Sequence, residues 1–192
     1  NRERADAISA ELLRQGGRYD PEGHYLLGQE RLLAGQTREA ISELEVLVRE
    51  TGLTVDVASQ QSKQLFDLLA IAYLRLGEQE NCLENRAANV CILPLEGAAR
   101  HSKEEGARRA IQLYEALLKR YPNDYGSRWL LNIAYMALGG YPDRVPKAHL
   151  IPGLAPQRKG PFPLFRNIAW EVGLAIRSLA GGLAIEDFNR DG

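Results

Sequence analysis

The chain has 192 residues, of which 45% are hydrophobic and 26% are charged, a composition typical of a globular domain with one sizeable core. With 24 basic and 25 acidic residues, its net charge is -1, which gives no broad basic surface for nucleic acid or an anionic membrane. No apolar run approaches the roughly 20 residues that a transmembrane helix needs. The first stretch, NRERADAISAELL, predicts a charged amphipathic helix rather than a signal peptide.

Helical patterns recur along the following part of the chain. IAYLRLG at 71–77 returns almost unchanged as IAYMALG at 133–139, and GQERLLAG at 28–35 is an earlier variant. Each stretch ends in Gly, which adopts the positive φ of a helix C-terminus without steric cost. Apolar faces with helical spacing lie at 40–48, 65–76, 110–121 and 131–138. The sequence therefore predicts an all-α fold of antiparallel helix pairs.

These patterns resemble the tetratricopeptide repeat, which is a pair of helices. Its first helix carries Leu-Gly, its turn contains Gly, its second helix carries Ala, and Pro follows the second helix. One repeat matches at Leu27, Gly28, Gly35, Ala40, Leu44 and Leu47, and parts of others match at Phe66, Leu69, Ala70, Tyr73, Gly77, Ala110, Tyr114, Leu117, Pro122, Leu131, Tyr135 and Gly139. The resemblance implies an α-solenoid over residues 1–145. The turn glycines lie farther apart than the family period of about 34 residues, so we expect an insert at about 78–106. A plain helical hairpin protein is the alternative.

The expected insert contains the two cysteines of the chain, Cys82 and Cys91. Three interpretations of them stay open: two buried small apolar side chains, a disulfide, or a metal site that also uses His101. A disulfide requires the chain to leave the helix before Cys91, because nine helical residues would hold the two Cα atoms about 13 Å apart. Zinc normally takes four ligands, and only three candidates occur here.

Prolines crowd the stretch after Gly139 and exclude a long helix there. We interpret residues 146–164 as a Pro-rich, semi-rigid connector. In the final residues, GGLAIEDFNRDG, the alternation of GGLAIEDF is typical of the start of a strand. Asp187, Asn189 and Asp191 then alternate before Gly192, like the first half of a calcium-binding loop. A turn rich in Asp and Asn has the same pattern.

Several stretches together resemble the bacterial ASPIC/UnbV-type proteins, relatives of the cartilage acidic protein group, which carry tetratricopeptide repeats before a β-propeller of FG-GAP/VCBS repeats. The stretches are LGEQENC, CILPLEGAARH, RWLLNIAYMALGGYPDRVP, HLIP, FRNIAWEVGL and AGGLAIEDFNRDG, within residues 66–192. The resemblance implies that 165–192 begins a propeller and that the chain is part of a longer extracytoplasmic protein. Calcium would bind only if the chain continues past Gly192, so we expect no cofactor in residues 1–192. The family often has His shortly after the first Cys, where this chain has Arg86, and this difference argues against a metal site.

The expected function is that of a protein-protein interaction scaffold, because stacked helix pairs form a concave groove. The candidate groove residues are Gln29, Arg31, Gln64, Asp67, Arg128 and Asn132. We expect protein partners, no nucleic acid and no catalysis, since the histidines and scattered carboxylates match no catalytic or phosphate-binding motif. The alternatives are an accessory subunit whose C-terminal tail wraps a partner, and a metal-binding or enzymatic module.

Overall fold

The computed structural model describes residues 1–16, 20–56, 59–82, 93–154, 168 and 171–173. Six α-helices follow one another in these ranges: α1 (Arg2–Arg14), α2 (Pro21–Leu33), α3 (Thr37–Thr51), α4 (Gln60–Cys82), α5 (Glu105–Arg120) and α6 (Tyr125–Ala137). A short 3₁₀ helix lies at Gly97–Ala99. No strand occurs in the described ranges, so the predicted all-α class is confirmed for this part of the chain.

The chain divides into two compact units, Asn1–Pro156 and Gln157–Gly192. All six helices lie in the first unit. The predicted propeller segment, 165–192, falls almost entirely outside the described residues, and its assignment stays a prediction. None of the helices that the structure describes combines the length and hydrophobicity needed to cross a bilayer.

The starts of α2 and α6 follow from local sequence. The Asp20 carboxylate accepts a hydrogen bond from the Gly23 amide at 3.1 Å, and Pro21 occupies the first helical position, where its missing N–H costs nothing. The Asp124 carboxylate likewise accepts the Ser127 amide at 3.1 Å. These acceptors satisfy amides that the first turn of each helix leaves unpaired, so both helices have defined starts.

The helices pack in the order in which they follow along the chain. Each helix contacts the next, the pairs α2–α3 and α4–α5 pack most extensively, and α2 also touches α4. We therefore call α2, α4 and α6 the A helices, and α3 and α5 the B helices. One core joins α3 to α6, with Leu44, Leu69, Leu117 and Leu131 nearly or fully inaccessible. Burial of these side chains holds the helices together.

The prediction that a helix ends at each repeat glycine is confirmed at two positions and wrong at the third. Gly35 and Gly139 follow α2 and α6 with φ of 80° and 67°. Gly77 lies inside α4, which continues to Cys82. A Cβ on Gly106 of α5 would lie 2.5 Å from the Gly77 nitrogen and 2.4 Å from the Tyr73 carbonyl oxygen. Glycine is therefore needed at position 106, because the backbones of α4 and α5 touch there, and Gly77 lies on the α4 side of this contact.

The end of the predicted insert is held against α4 by Asn81. Its side-chain amide donates to the Gly77 carbonyl at 2.7 Å and to the Lys103 carbonyl at 3.0 Å, and its oxygen accepts the Ser102 and Lys103 amides at 2.8 and 3.0 Å. The His101 amide donates to the Ala137 carbonyl at 2.8 Å. This loop therefore connects the C-terminal ends of α4 and α6. A second small core forms there from Leu95, Ala99, Ala107, Met136 and Ala137.

The segment after α6, residues 146–154, is here called the strap. It contains no helix and forms turns that pack against α6. The fully buried Asn132 side chain donates to the His149 carbonyl at 2.9 Å and accepts the Ile151 amide at 3.1 Å. The Tyr141 hydroxyl donates to the Ile151 carbonyl at 2.8 Å and accepts the Leu154 amide at 3.1 Å. The first part of the predicted connector thus lies against the helical unit.

Candidate functional site

The A helices expose large apolar side chains, although most of their other apolar residues are buried. Leu26 of α2 is 43% exposed, Ile71 of α4 is 38% exposed and Trp129 of α6 is 45% exposed. Neighbouring A helices touch, since α2 contacts α4 and the Ser127 hydroxyl lies 3.4 Å from the Asp67 carboxylate. We call the exposed side chains of α2, α4 and α6 the A-helix surface.

A groove of about 580 Å³ opens between α2, the C-terminal end of α3 and the start of α4. Its lining residues are Pro21, Glu22, Tyr25, Leu26, Leu47, Thr51, Leu53, Gln61, Gln64 and Leu65. Leu47 and Leu65 are buried beneath it, whereas Glu22, Gln61 and Gln64 are exposed. This α2–α4 groove has the size and the mixed apolar and polar lining of a ligand-binding cleft.

Beside the groove, Lys63 joins α4 to the turn before α6. Its ammonium lies 2.6 Å from both the Asp67 and the Asp124 carboxylates. Burial opposes the charge on Lys63, but hydrogen bonds to Asp124 and Asp67 outweigh that effect and raise its pKa. Burial would raise the pKa of Asp124, but hydrogen bonds from Lys63 and Ser127 lower it. Lys63 thus bridges two carboxylates, which is a structural ion-pair arrangement.

Two of the predicted groove residues, Gln29 and Gln64, are exposed on the A-helix surface, and Gln64 lines the α2–α4 groove. Arg31 instead forms an ion pair with Glu43 at 2.7 Å. Asp67 belongs to the ion pair with Lys63.

The two predicted groove residues on α6 also make contacts within the chain. The Arg128 guanidinium donates to the Pro122 carbonyl at 2.8 Å and lies 5.4 Å from the Tyr125 ring centre. Asn132 is fully buried and holds the strap, so we leave it out of the proposed surface.

The candidate metal and disulfide residues are only partly described. Cys82 is half-buried at the end of α4, whereas Cys91 lies outside the described residues. Asp187, Asn189 and Asp191 also lie outside them, so the disulfide and the calcium loop stay predictions. Among the residues that the structure places, no three His, Cys, Asp or Glu side chains converge as metal ligands would.

His101 is a buried side chain of the small second core region. An added Cβ on Gly77 would lie 3.1 Å from its Nδ1 atom, which has no hydrogen-bond partner. Burial lowers the pKa of His101, and the negative charge of Glu78 acts in the opposite direction. A neutral imidazole packed against a helix is therefore the form that the fold favours.

Sequence reasoning did not identify several residues of the groove, among them Glu22, Tyr25 and Leu53. The alignment of the repeated stretches could have indicated Glu22 and Tyr25. Counting back from the Gly that ends each repeated stretch, Glu22 corresponds to Gln64, and Tyr25 corresponds to Asp67. Leu53 follows α3 outside any repeated stretch, so the register gives no indication of its position.

Comparisons with known proteins found no matching family model, no matching curated protein and no matching solved structure.

Proposed function

We propose that the helical unit is a tetratricopeptide-like solenoid that acts as a protein-protein interaction scaffold, with the A-helix surface as its binding face. The observation that carries this proposal is the exposure of Leu26, Ile71 and Trp129 on three neighbouring helices. Large apolar side chains exposed on adjoining helices can together form the apolar part of an interaction surface. Trp and Tyr are also among the residues that contribute most to binding energy at interfaces.

The sequential packing of α2 to α6 supports the solenoid part of the proposal, because repeat proteins stack each unit only on its neighbours. The small residues at helix crossings support it as well. A Cβ on Gly28 would lie 2.7 Å from a Leu44 methyl group, so α2 and α3 approach closely at this position. The tetratricopeptide pattern has a small residue at this position.

Site-specific photo-crosslinking in the cells that make the protein tests the scaffold function. A photoreactive residue is placed at Gln29, Gln64 or Trp129 on the A-helix surface, and at the exposed Glu39 and Lys119 on the B helices as controls. We expect the A-helix positions to capture discrete proteins that the control positions do not capture. Equal capture from both sets of positions, or capture from the B helices alone, would contradict the proposal.

We also propose that this unit belongs to a longer extracytoplasmic protein of the ASPIC/UnbV type, as the sequence resemblance suggests. The intact mass of the native protein tests this part. A mass near 21.4 kDa would exclude a propeller beyond Gly192. A mass that is tens of kilodaltons larger, with peptides that follow Gly192, is the expected result.

A further inference from the structure

The α2–α4 groove combines buried apolar walls with a polar rim. Leu47 and Leu65 form its base, while Leu26 leaves 43% of its surface exposed at the side. Gln61 and Gln64 lie at the exposed edge, where their amides can donate to and accept from a peptide backbone. An apolar side chain entering this cleft would lose contact with water on several sides, which is how anchor residues contribute binding energy.

Among the described residues, one charged side chain lines the groove. Glu22 is the single charged residue in its lining, and it has no ion-pair partner among the residues that the structure describes. Other acidic residues of the A helices are paired within the chain: Glu30 with Arg4 at 3.0 Å, and Asp67 with Lys63 at 2.6 Å. Glu22 is therefore the carboxylate that is available to a partner.

Tyr25, which lines the groove, adds no charge to it, because burial is the main factor that raises the pKa of its phenol and keeps the phenol neutral. Glu22 at the edge therefore favours a basic group there, and the buried leucines at the base favour apolar groups. A like-charged partner would meet repulsion instead.

We propose that the α2–α4 groove binds a protein segment that carries an apolar anchor residue next to a lysine or arginine, with the basic group directed at Glu22. This inference rests on the proposed scaffold function and specifies the chemistry of its partner. The apolar anchor enters between Leu26 and Leu53, and the segment's backbone meets Gln61 and Gln64.

Peptides of defined sequence test the inference. An array of peptides of about 12 residues fixes a central Leu or Phe and places only Lys, Gln or Glu at the neighbouring positions. The best binder and its Lys-to-Glu counterpart are then labelled with fluorescein, and their dissociation constants are measured by fluorescence anisotropy. We expect the Lys peptide to bind about fivefold more tightly than the Glu peptide, as for a partly exposed charge pair.

Matched variants connect that preference to the groove. Glu22 and Glu39 are both exposed glutamates in the first turn of a helix. Glu22→Lys and Glu39→Lys therefore lose the same favourable interaction with the helix dipole. We expect Glu22→Lys to reverse the preference and Glu39→Lys to leave it unchanged. Likewise, Leu26→Ser should weaken binding about tenfold, whereas Leu33→Ser, an exposed leucine of α2 outside the groove lining, should not.

The outcomes separate this inference from the scaffold function. If no peptide binds while photo-crosslinks still form at Trp129, the groove inference is overturned and the scaffold proposal stands. The groove inference is also overturned if the Lys and Glu peptides bind equally well, or if Glu22→Lys does not change the preference between them. Self-association that Leu26→Ser abolishes, measured by analytical ultracentrifugation, would instead identify a second copy as the occupant. If neither peptides nor crosslinks are found, the scaffold function itself is refuted.

Discussion

The contact between Asn132 and the strap allows a quantitative test of the fold. Asn132 occupies the position of α6 that corresponds to Gly28 in α2 and Ala70 in α4, each seven residues before the Gly of its repeated stretch. Asn132→Ala therefore gives α6 the residue that α4 already has. In the wild type the side chain binds the His149 carbonyl and the Ile151 amide, both of which belong to a segment that forms no helix.

The expected loss of stability follows from those two hydrogen bonds. Each lost bond costs about 1 kcal/mol, and leaving its backbone partner without a replacement raises that cost to about 1–3 kcal/mol. Alanine recovers about 0.6 kcal/mol through its better helix propensity. The net loss in unfolding free energy should therefore be about 1–5 kcal/mol, which lowers Tm by about 2–20 °C for a chain of this size.

Urea unfolding followed by circular dichroism measures the global effect, and hydrogen exchange of peptides from the strap measures the local one. We expect Asn132→Ala to speed exchange at the Ile151 amide well before the helices exchange. Asn123→Ala, an exposed position in the turn before α6, is the control and should change stability by less than about 0.5 kcal/mol. If Asn132→Ala behaves like Asn123→Ala in both measurements, the strap is not held by this side chain and the reasoning is refuted.

Three further changes test other parts of the structure. Gly106→Ala should lower the unfolding free energy by about 3 kcal/mol in urea denaturation, because its Cβ would meet the backbone of α4, whereas Gly28→Ala meets a movable side chain and should cost about 1 kcal/mol or less. Burial lowers the pKa of His101, so its favourable effect on stability is fully present above the unfolded-state pKa of about 6.5 and is lost as the pH falls from that value through the lower pKa of the folded protein. His101→Gln should therefore reduce the loss of stability on acidification, and an equal loss in both proteins would contradict this assignment. Lys63→Met should raise the pKa of Asp124 in NMR titrations and lower stability by about 1–2 kcal/mol, while an unchanged Asp124 titration would show that the ion pair is absent in solution.

Helix boundaries could be predicted where several local signals agree. α6 begins after Asp124, whose side chain caps it, and ends before Gly139, whose positive φ stops it. The end of α4 could not be predicted in this way. Gly77 has the same place in the repeated sequence as Gly35 and Gly139, but it lies inside α4, where Gly106 of α5 packs closely against its backbone. A single sequence carries no direct record of such a tertiary contact.

The candidate site could be predicted only in part, for a related reason. The repeat register places Gln29 and Gln64 on exposed faces, as observed. It does not show which charged residues are already paired within the chain. Arg31 is paired with Glu43, which lies on another helix, and this pairing depends on the distance between the helices rather than on sequence spacing.

Each A helix has one position, seven residues before its repeat Gly, that faces a neighbouring segment. The residue type at this position matches the kind of segment that packs there. Gly28 meets a B helix, which needs close approach and satisfies its own backbone hydrogen bonds. Asn132 meets the strap, whose carbonyl and amide groups at His149 and Ile151 have no helical partners and must be satisfied from outside. A small apolar residue there would bury them unpaired. In this chain, the polar residue at this position therefore satisfies the backbone groups of a following segment that is not a helix.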